Sequence, residues 1–175
     1  EAGLNIAPGL DMRRPAPELL GKPRNAVQSI VGAWQGRAVS VEVHIAAAPD
    51  GLRLIGLDPL GRRALTVNWR SAGIDGKIGE RLPKGLSAAT MVAHLALIYA
   101  PLEKLEILFD QDEIVLEQDK HSRRLRLRDR IAIEVNYDPS RQTAWNGKAR
   151  LANHLLNYDL TVRSKVRPPS ALRWA

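Results

Sequence analysis

The chain has 175 residues, 45% of them hydrophobic and 26% charged, which suits one globular domain with a sizeable core and excludes a disordered or low-complexity chain. It contains no Cys, so neither a disulfide framework nor a thiolate metal site is available. A net charge of +7 favours anionic partners, nucleic acid or a membrane surface, and no apolar run reaches the roughly 20 residues that span a bilayer.

Residues 1–26 carry Pro8, Pro15, Pro17 and Pro23 with little periodicity, which predicts an extended linker. From Val27 the pattern turns to period two. Val39, Val41, Val43 and Ile45 alternate with polar residues, as a strand with one buried face requires. Pro49-Asp50-Gly51 supplies a turn, Leu52, Leu54 and Leu57 lead to a second turn at Asp58-Pro59-Leu60-Gly61, and Leu65, Val67 and Trp69 alternate beyond it. A short strand is expected over Ser71 to Lys77. Ser87 then reads as the N-cap of a helix carrying Met91, Val92, Leu95, Ile98, Tyr99 and Leu102, limited by Pro101.

After this helix alternation returns, at Leu105, Ile107 and Phe109, then through Ile114 and Leu116, Leu125 and Leu127, Ile131 to Tyr137, Ala149 and Leu151, and Tyr158 to Val162. The expected fold is mainly β with α: an open, strongly curved antiparallel sheet of roughly ten strands, a half-barrel covered by one main helix. One helix covers only part of such a sheet, so the periodicity admits both a packed core and an apolar cavity.

Enzymatic signatures are missing. The four histidines show no metal-binding spacing, no nucleophile elbow or phosphate loop is present, and "DQDE" (110–113) lacks the glycine and terminal glutamate of a calcium loop. No catalytic residue, metal or cofactor is expected. "KHSRRLRLRDR" (120–130) predicts a strand with a cationic outer face, and residues 167–175 form a basic tail with Arg173 and Trp174. With aromatics at 5%, the stacking residues of a nucleic-acid surface are scarce, and no nucleic-acid partner is expected.

The segments "LRLIGLDPLGRRALTV" (52–67), "SAATMVAHLALIYAPLEKL" (87–105), "RIAIEVNYD" and "NYDLTVRS" together resemble the lipoprotein carriers LolA and LolB. They look closer still to a family of proteobacterial outer-membrane lipoproteins, some linked to aryl-polyene lipid biosynthesis. The resemblance covers roughly Val27 to Val166, which would form the lipid-binding domain. It implies a carrier or acceptor at the periplasmic face of the outer membrane, anchored through a lipidated Cys upstream of Glu1. In LolB-like proteins an exposed leucine in a Pro-Leu-Gly turn is implicated in handing acylated cargo to the membrane, and Leu60 occupies the matching place. The expected membrane-contact loop is therefore Pro59, Leu60, Gly61, Arg62 and Arg63.

The expected cavity is lined on the sheet by Val39, Val41, Val43, Leu54, Leu65, Val67 and Trp69, with Met91, Leu95 and Ile98 on the helical lid. It would hold an acyl or polyene chain. Expected partners are lipid or acylated cargo, an anionic membrane surface and a periplasmic carrier protein. A competing expectation is an envelope assembly or scaffold protein whose core is packed and which binds a protein partner.

Overall fold

The computed structural model describes residues 3–22 and 25–168. Twelve strands and two helices follow in chain order: β1 (Leu4–Ala7), β2 (Leu10–Met12), β3 (Asn25–Trp34), β4 (Arg37–Ala48), β5 (Gly51–Leu57), β6 (Arg63–Arg70), β7 (Gly73–Ile78), α1 (Ala88–Tyr99), α2 (Leu102–Glu106), β8 (Ile114–Gln118), β9 (Ser122–Leu127), β10 (Arg130–Tyr137), β11 (Gly147–Asn153) and β12 (Tyr158–Arg167). A single 3-10 turn, Pro17–Leu20, lies between β2 and β3.

Strands β3 to β12 form one ten-stranded antiparallel sheet in the order β7-β6-β5-β4-β3-β12-β11-β10-β9-β8. Two five-strand meanders meet where β3 pairs with β12, from Tyr158 opposite Trp34 to Arg167 opposite Asn25. The free edges, β7 and β8, are the two strands that flank the helices. β3 is thus central, although its sequence NAVQSIVGAW shows little alternation: Val31 is exposed and Gln28 buried.

The sheet must curl. Helix α1 touches β6 and β7 near one edge, yet Leu97 on the same helix accepts a hydrogen bond from Arg123 on β9, next to the other edge. Eight strand spacings of about 4.8 Å separate β7 from β9 along a flat sheet, roughly 38 Å, whereas a helix with its side chains is only about 10 Å across. Only a rolled sheet brings both edges to one helix, and it remains an open half-barrel, as the alternation predicts. Gly56 serves this curvature from inside: a Cβ there would fall 2.5 Å from Leu65 Cγ.

Met91 through Ile98, eight consecutive residues, are all buried, so α1 meets protein on every side. The sheet supplies one side. The other is covered by the N-terminal segment, which corrects the linker expected over residues 1–26. Leu10 and Met12 are completely buried, and Ile6, Ala7 and Leu20 join the same core. β1 and β2 pair with each other as a small hairpin separate from the main sheet, and the segment is tied down where Trp69 Nε1 donates to Pro15 O at 2.8 Å and Arg13 N donates to Leu108 O at 2.8 Å. The prolines fit extended backbone, but the apolar side chains between them cap the helix. Residues 4–20 are a strap across the mouth of the half-barrel.

The strand expected through Leu105, Ile107 and Phe109 is also corrected. Pro101 breaks the helix, and the strong helix formers Leu102-Glu-Lys-Leu-Glu resume it as α2. Leu105 and Leu108 are buried at a spacing of three while Ile107 is exposed, a helical pattern in place of an alternating one. Of the basic tail, Arg167 ends β12; Arg173 and Trp174 lie outside the described residues.

If the strap is a layer of the core, Met12→Ala should destabilise the fold by about 2–5 kcal/mol in urea unfolding. A free linker would leave the unfolding midpoint unchanged.

Candidate functional site

Two features come from the residues singled out in the sequence: the interior around α1 and the tip between β5 and β6. The helix starts where expected, with Ser87 Oγ accepting a hydrogen bond from Thr90 N at 3.1 Å. Its far end is set by Pro101, which lacks the N–H that would have bonded Leu97 O. That carbonyl receives Arg123 Nη1 at 2.8 Å, and Ile98 O receives the Tyr137 hydroxyl. Leaving such a buried carbonyl unpaired costs about 1–3 kcal/mol, so the sheet caps the helix from inside the fold. The Arg123 guanidinium also faces the negative end of the helix dipole.

Polar contacts hold the middle of the helix as well. His94 Nε2 lies 2.8 Å from the Tyr158 hydroxyl, which also receives Asn153 Nδ2 at 3.2 Å, while Tyr158 stacks on Trp34 with ring centroids 3.7 Å apart. Asn153 Nδ2 donates to Ile6 O at 3.0 Å, linking this cluster to the strap. Gln28 Nε2 donates to Tyr99 OH at 2.9 Å. Burial pushes the His94 imidazole down to about 4 and the Tyr158 hydroxyl up to about 12, so both groups are neutral near pH 7.

Val39, Val41, Val43, Leu54, Leu65, Val67, Trp69, Met91, Leu95 and Ile98 are all buried in a single core. Only Val41, Leu54, Met91, Leu95 and Ile98 among them border the cavity between sheet and helix, and its volume is about 20 Å³. That is room for about one water. The space expected to contain a chain is thus filled by the protein's own side chains, because α1 seats deeply enough to bury every residue from Met91 to Ile98.

The tip is ordered by one carboxylate. Asp58 Oδ1 accepts from Leu60 N and Arg62 N, each at 2.9 Å, and Oδ2 accepts from Arg62 Nε at 2.8 Å. The backbone closes the turn with Gly61 N to Asp58 O at 2.9 Å, and Gly61 takes a φ of 79°, a left-handed conformation that suits glycine. The Arg62 backbone bond, first among these contacts, holds the Asp58 carboxyl below the usual carboxylate range. Leu60 stands 75% exposed on this rigid turn, beside exposed Arg62 and Arg63, and Arg81 approaches Asp58 at 3.9 Å.

The basic segment 120–130, which contains β9, presents less free charge than its sequence suggests. Arg124 lies 3.4 Å from Asp119 and 3.6 Å from Glu134, Arg128 lies 3.1 Å from Glu113, Arg126 pairs with Glu117, and Arg123 points inward. Asp110 of the acidic cluster pairs with Arg13, and among the described residues no group of three or more His, Asp or Glu could hold a metal. No described helix is long and apolar enough to cross a membrane. Pattern reading missed Gln28, His94, Tyr137 and Asn153 as a set, since each belongs to a different element and only the fold brings them to one helix.

The depressed His94 pKa links stability to pH. The unfolded chain takes up the proton below its ordinary 6.5, the folded one only near 4, so stability is complete above about pH 6.5 and falls by up to a few kcal/mol as pH drops towards 4. Asp58, Asp75, Asp119 and Asp138 are shifted below 3.8 and lose their contributions at lower pH. The loss in urea midpoint between pH 7 and pH 4.5 should therefore shrink in His94→Leu. An equal loss in the variant would contradict burial of a neutral imidazole.

No curated protein matches the chain. A solved domain from Vibrio parahaemolyticus, described as a candidate outer membrane lipoprotein-sorting protein domain, is similar at 8% identity with a TM-score of 0.45, over 86% of this chain and 87% of that one. Residues 25–166 match the model of the family described as protein of unknown function DUF3261, and the chain belongs to that family.

Proposed function

We propose that this protein is a non-enzymatic carrier or acceptor of lipid or acylated cargo, working at the periplasmic face of the outer membrane and anchored there through a lipidated Cys outside this chain. Leu60 carries the reading. A leucine left 75% exposed on a turn braced by Asp58, with arginines beside it, supports a tip that enters a bilayer. Moving such a side chain into hydrocarbon gains about 2 kcal/mol, and Arg63 near anionic headgroups adds about 1 kcal/mol, Arg62 being paired with Asp58. These contacts are weak alone but sufficient for a tethered molecule that must also let go. The turn is preorganised, so docking orders no loop.

The mechanism is exchange. A half-barrel with an apolar concave face offers a surface for an acyl or polyene chain once part of its cover moves, and Leu60 keeps the molecule against the membrane meanwhile. The same contacts fit acylated cargo handed over by a periplasmic carrier protein.

The nearly filled interior favours a second reading, an envelope assembly or scaffold protein that binds a protein partner. It predicts no uptake of apolar ligands.

Leu60→Glu should lower binding to vesicles containing anionic lipid by about thirty-fold, the equivalent of 2 kcal/mol, with an unchanged unfolding midpoint because the side chain lies outside the core. Flotation with wild-type and variant protein measures it. Equal flotation of the two would remove Leu60 from the membrane contact.

A further inference from the structure

A second apolar-walled space, already formed, lies away from the centre of the helix. A cavity of about 140 Å³ opens between the 3-10 turn, through Pro17 and Leu20, and the β4–β5 hairpin, through Ile45, Ala48 and Leu52, with Trp145 as a further wall. It sits at the opposite end of β5 from the Leu60 tip. Its size compares with an engineered apolar cavity of about 150 Å³ that takes up benzene. Trp145 stacks on Tyr99, the last residue of α1, with centroids 4.0 Å apart, so the cavity abuts the helix end.

Three charges stand on its rim. Glu18 accepts from Ser71 Oγ at 2.9 Å and Asp50 lies 3.5 Å from Arg70 Nε, whereas Lys22 is an exposed ammonium beside the opening. An apolar tail in the cavity would leave an anionic head next to Lys22.

The two covers of the half-barrel are held differently. α1 is fixed by the sheet at His94, Leu97, Ile98 and Tyr99, through contacts from β12, β9, β10 and β3, and moving it would strand buried carbonyls and the Arg123 cation. The strap shares no ladder with the main sheet and is held instead by single contacts: Trp69 Nε1 to Pro15 O, Asn153 Nδ2 to Ile6 O, Ser71 Oγ to Glu18, and Arg13 N to Leu108 O beside an Arg13–Asp110 pair exposed to water. The strap forms one wall of the cavity.

We infer that this cavity is the entry site for the tail of a single-chain anionic amphiphile, a fatty acid or its equivalent, and that the strap of residues 4–20 swings aside to admit it while α1 stays in place. The inference rests on the carrier reading and specifies which wall opens.

The test uses the whole chain with dansylundecanoic acid as the probe. Binding should be saturable, and Ala48→Phe, which fills the cavity, should weaken it at least tenfold. In hydrogen exchange at saturating probe, the Arg13 amide, bonded to Leu108 O, should lose protection while Met91 and Ala100, bonded to Ser87 O and Ala96 O, keep theirs. Should Ala48→Phe fail to fold, exchange in the wild-type protein decides alone. Saturable binding with α1 amides deprotected, strap amides unchanged, or folded Ala48→Phe at full affinity overturns this inference and leaves the carrier reading standing. Absence of saturable binding overturns both.

Discussion

An apolar concave sheet of ten strands has to be covered, and this chain has one helix of substantial length with which to do it. The solution has two parts. The sheet rolls until strands near both edges touch α1, and the helix is buried on its whole circumference from Met91 to Ile98, which in turn demands a second cover on its outer side. The strap supplies it with Ile6, Leu10 and Met12. Burying a helix this completely removes its carbonyl end from water: Pro101 withholds an N–H from Leu97 O, which Arg123 caps, and Tyr137 caps Ile98 O. Curvature, strap and internal capping all follow from one constraint.

The half-barrel was legible because strands with one face in the core alternate: Val39 to Ile45, Leu65 to Trp69 and Ile131 to Val135 each mark a strand that forms. The helix was legible from Ser87 and the spacing of Met91, Leu95 and Ile98. β3 was not, since a central strand that buries Gln28 and exposes Val31 does not alternate cleanly. The strap was misread for a related reason. Prolines describe backbone geometry and carry no information about burial, and segments of three and four residues are too short to show a period. The turn Asp58-Pro59-Leu60-Gly61 was legible as a turn, but its stiffness lies in the placement of both Asp58 oxygens, which composition does not encode.

The interior poses the functional tension. Side chains that a carrier would need as lining are present, yet they fill their own space to within about 20 Å³, so any ligand must displace part of the protein. Exchange of this kind requires one cover that stays and one that yields. The polar bonds that tie α1 to four strands of the sheet, and a strap that shares no ladder with that sheet, divide these roles between the two elements. The rigid Leu60 tip lies at one end of the half-barrel and the 140 Å³ opening at the other, which keeps membrane contact and ligand entry physically separate.

Transfer of a fluorescent single-chain lipid from donor to acceptor vesicles, followed as a function of protein concentration, tests the central claim most directly. A carrier raises the initial rate in proportion to protein added, at substoichiometric amounts relative to lipid. A rate equal to spontaneous exchange, with the protein demonstrably bound to the vesicles, would contradict the account and leave a packed membrane-docked scaffold.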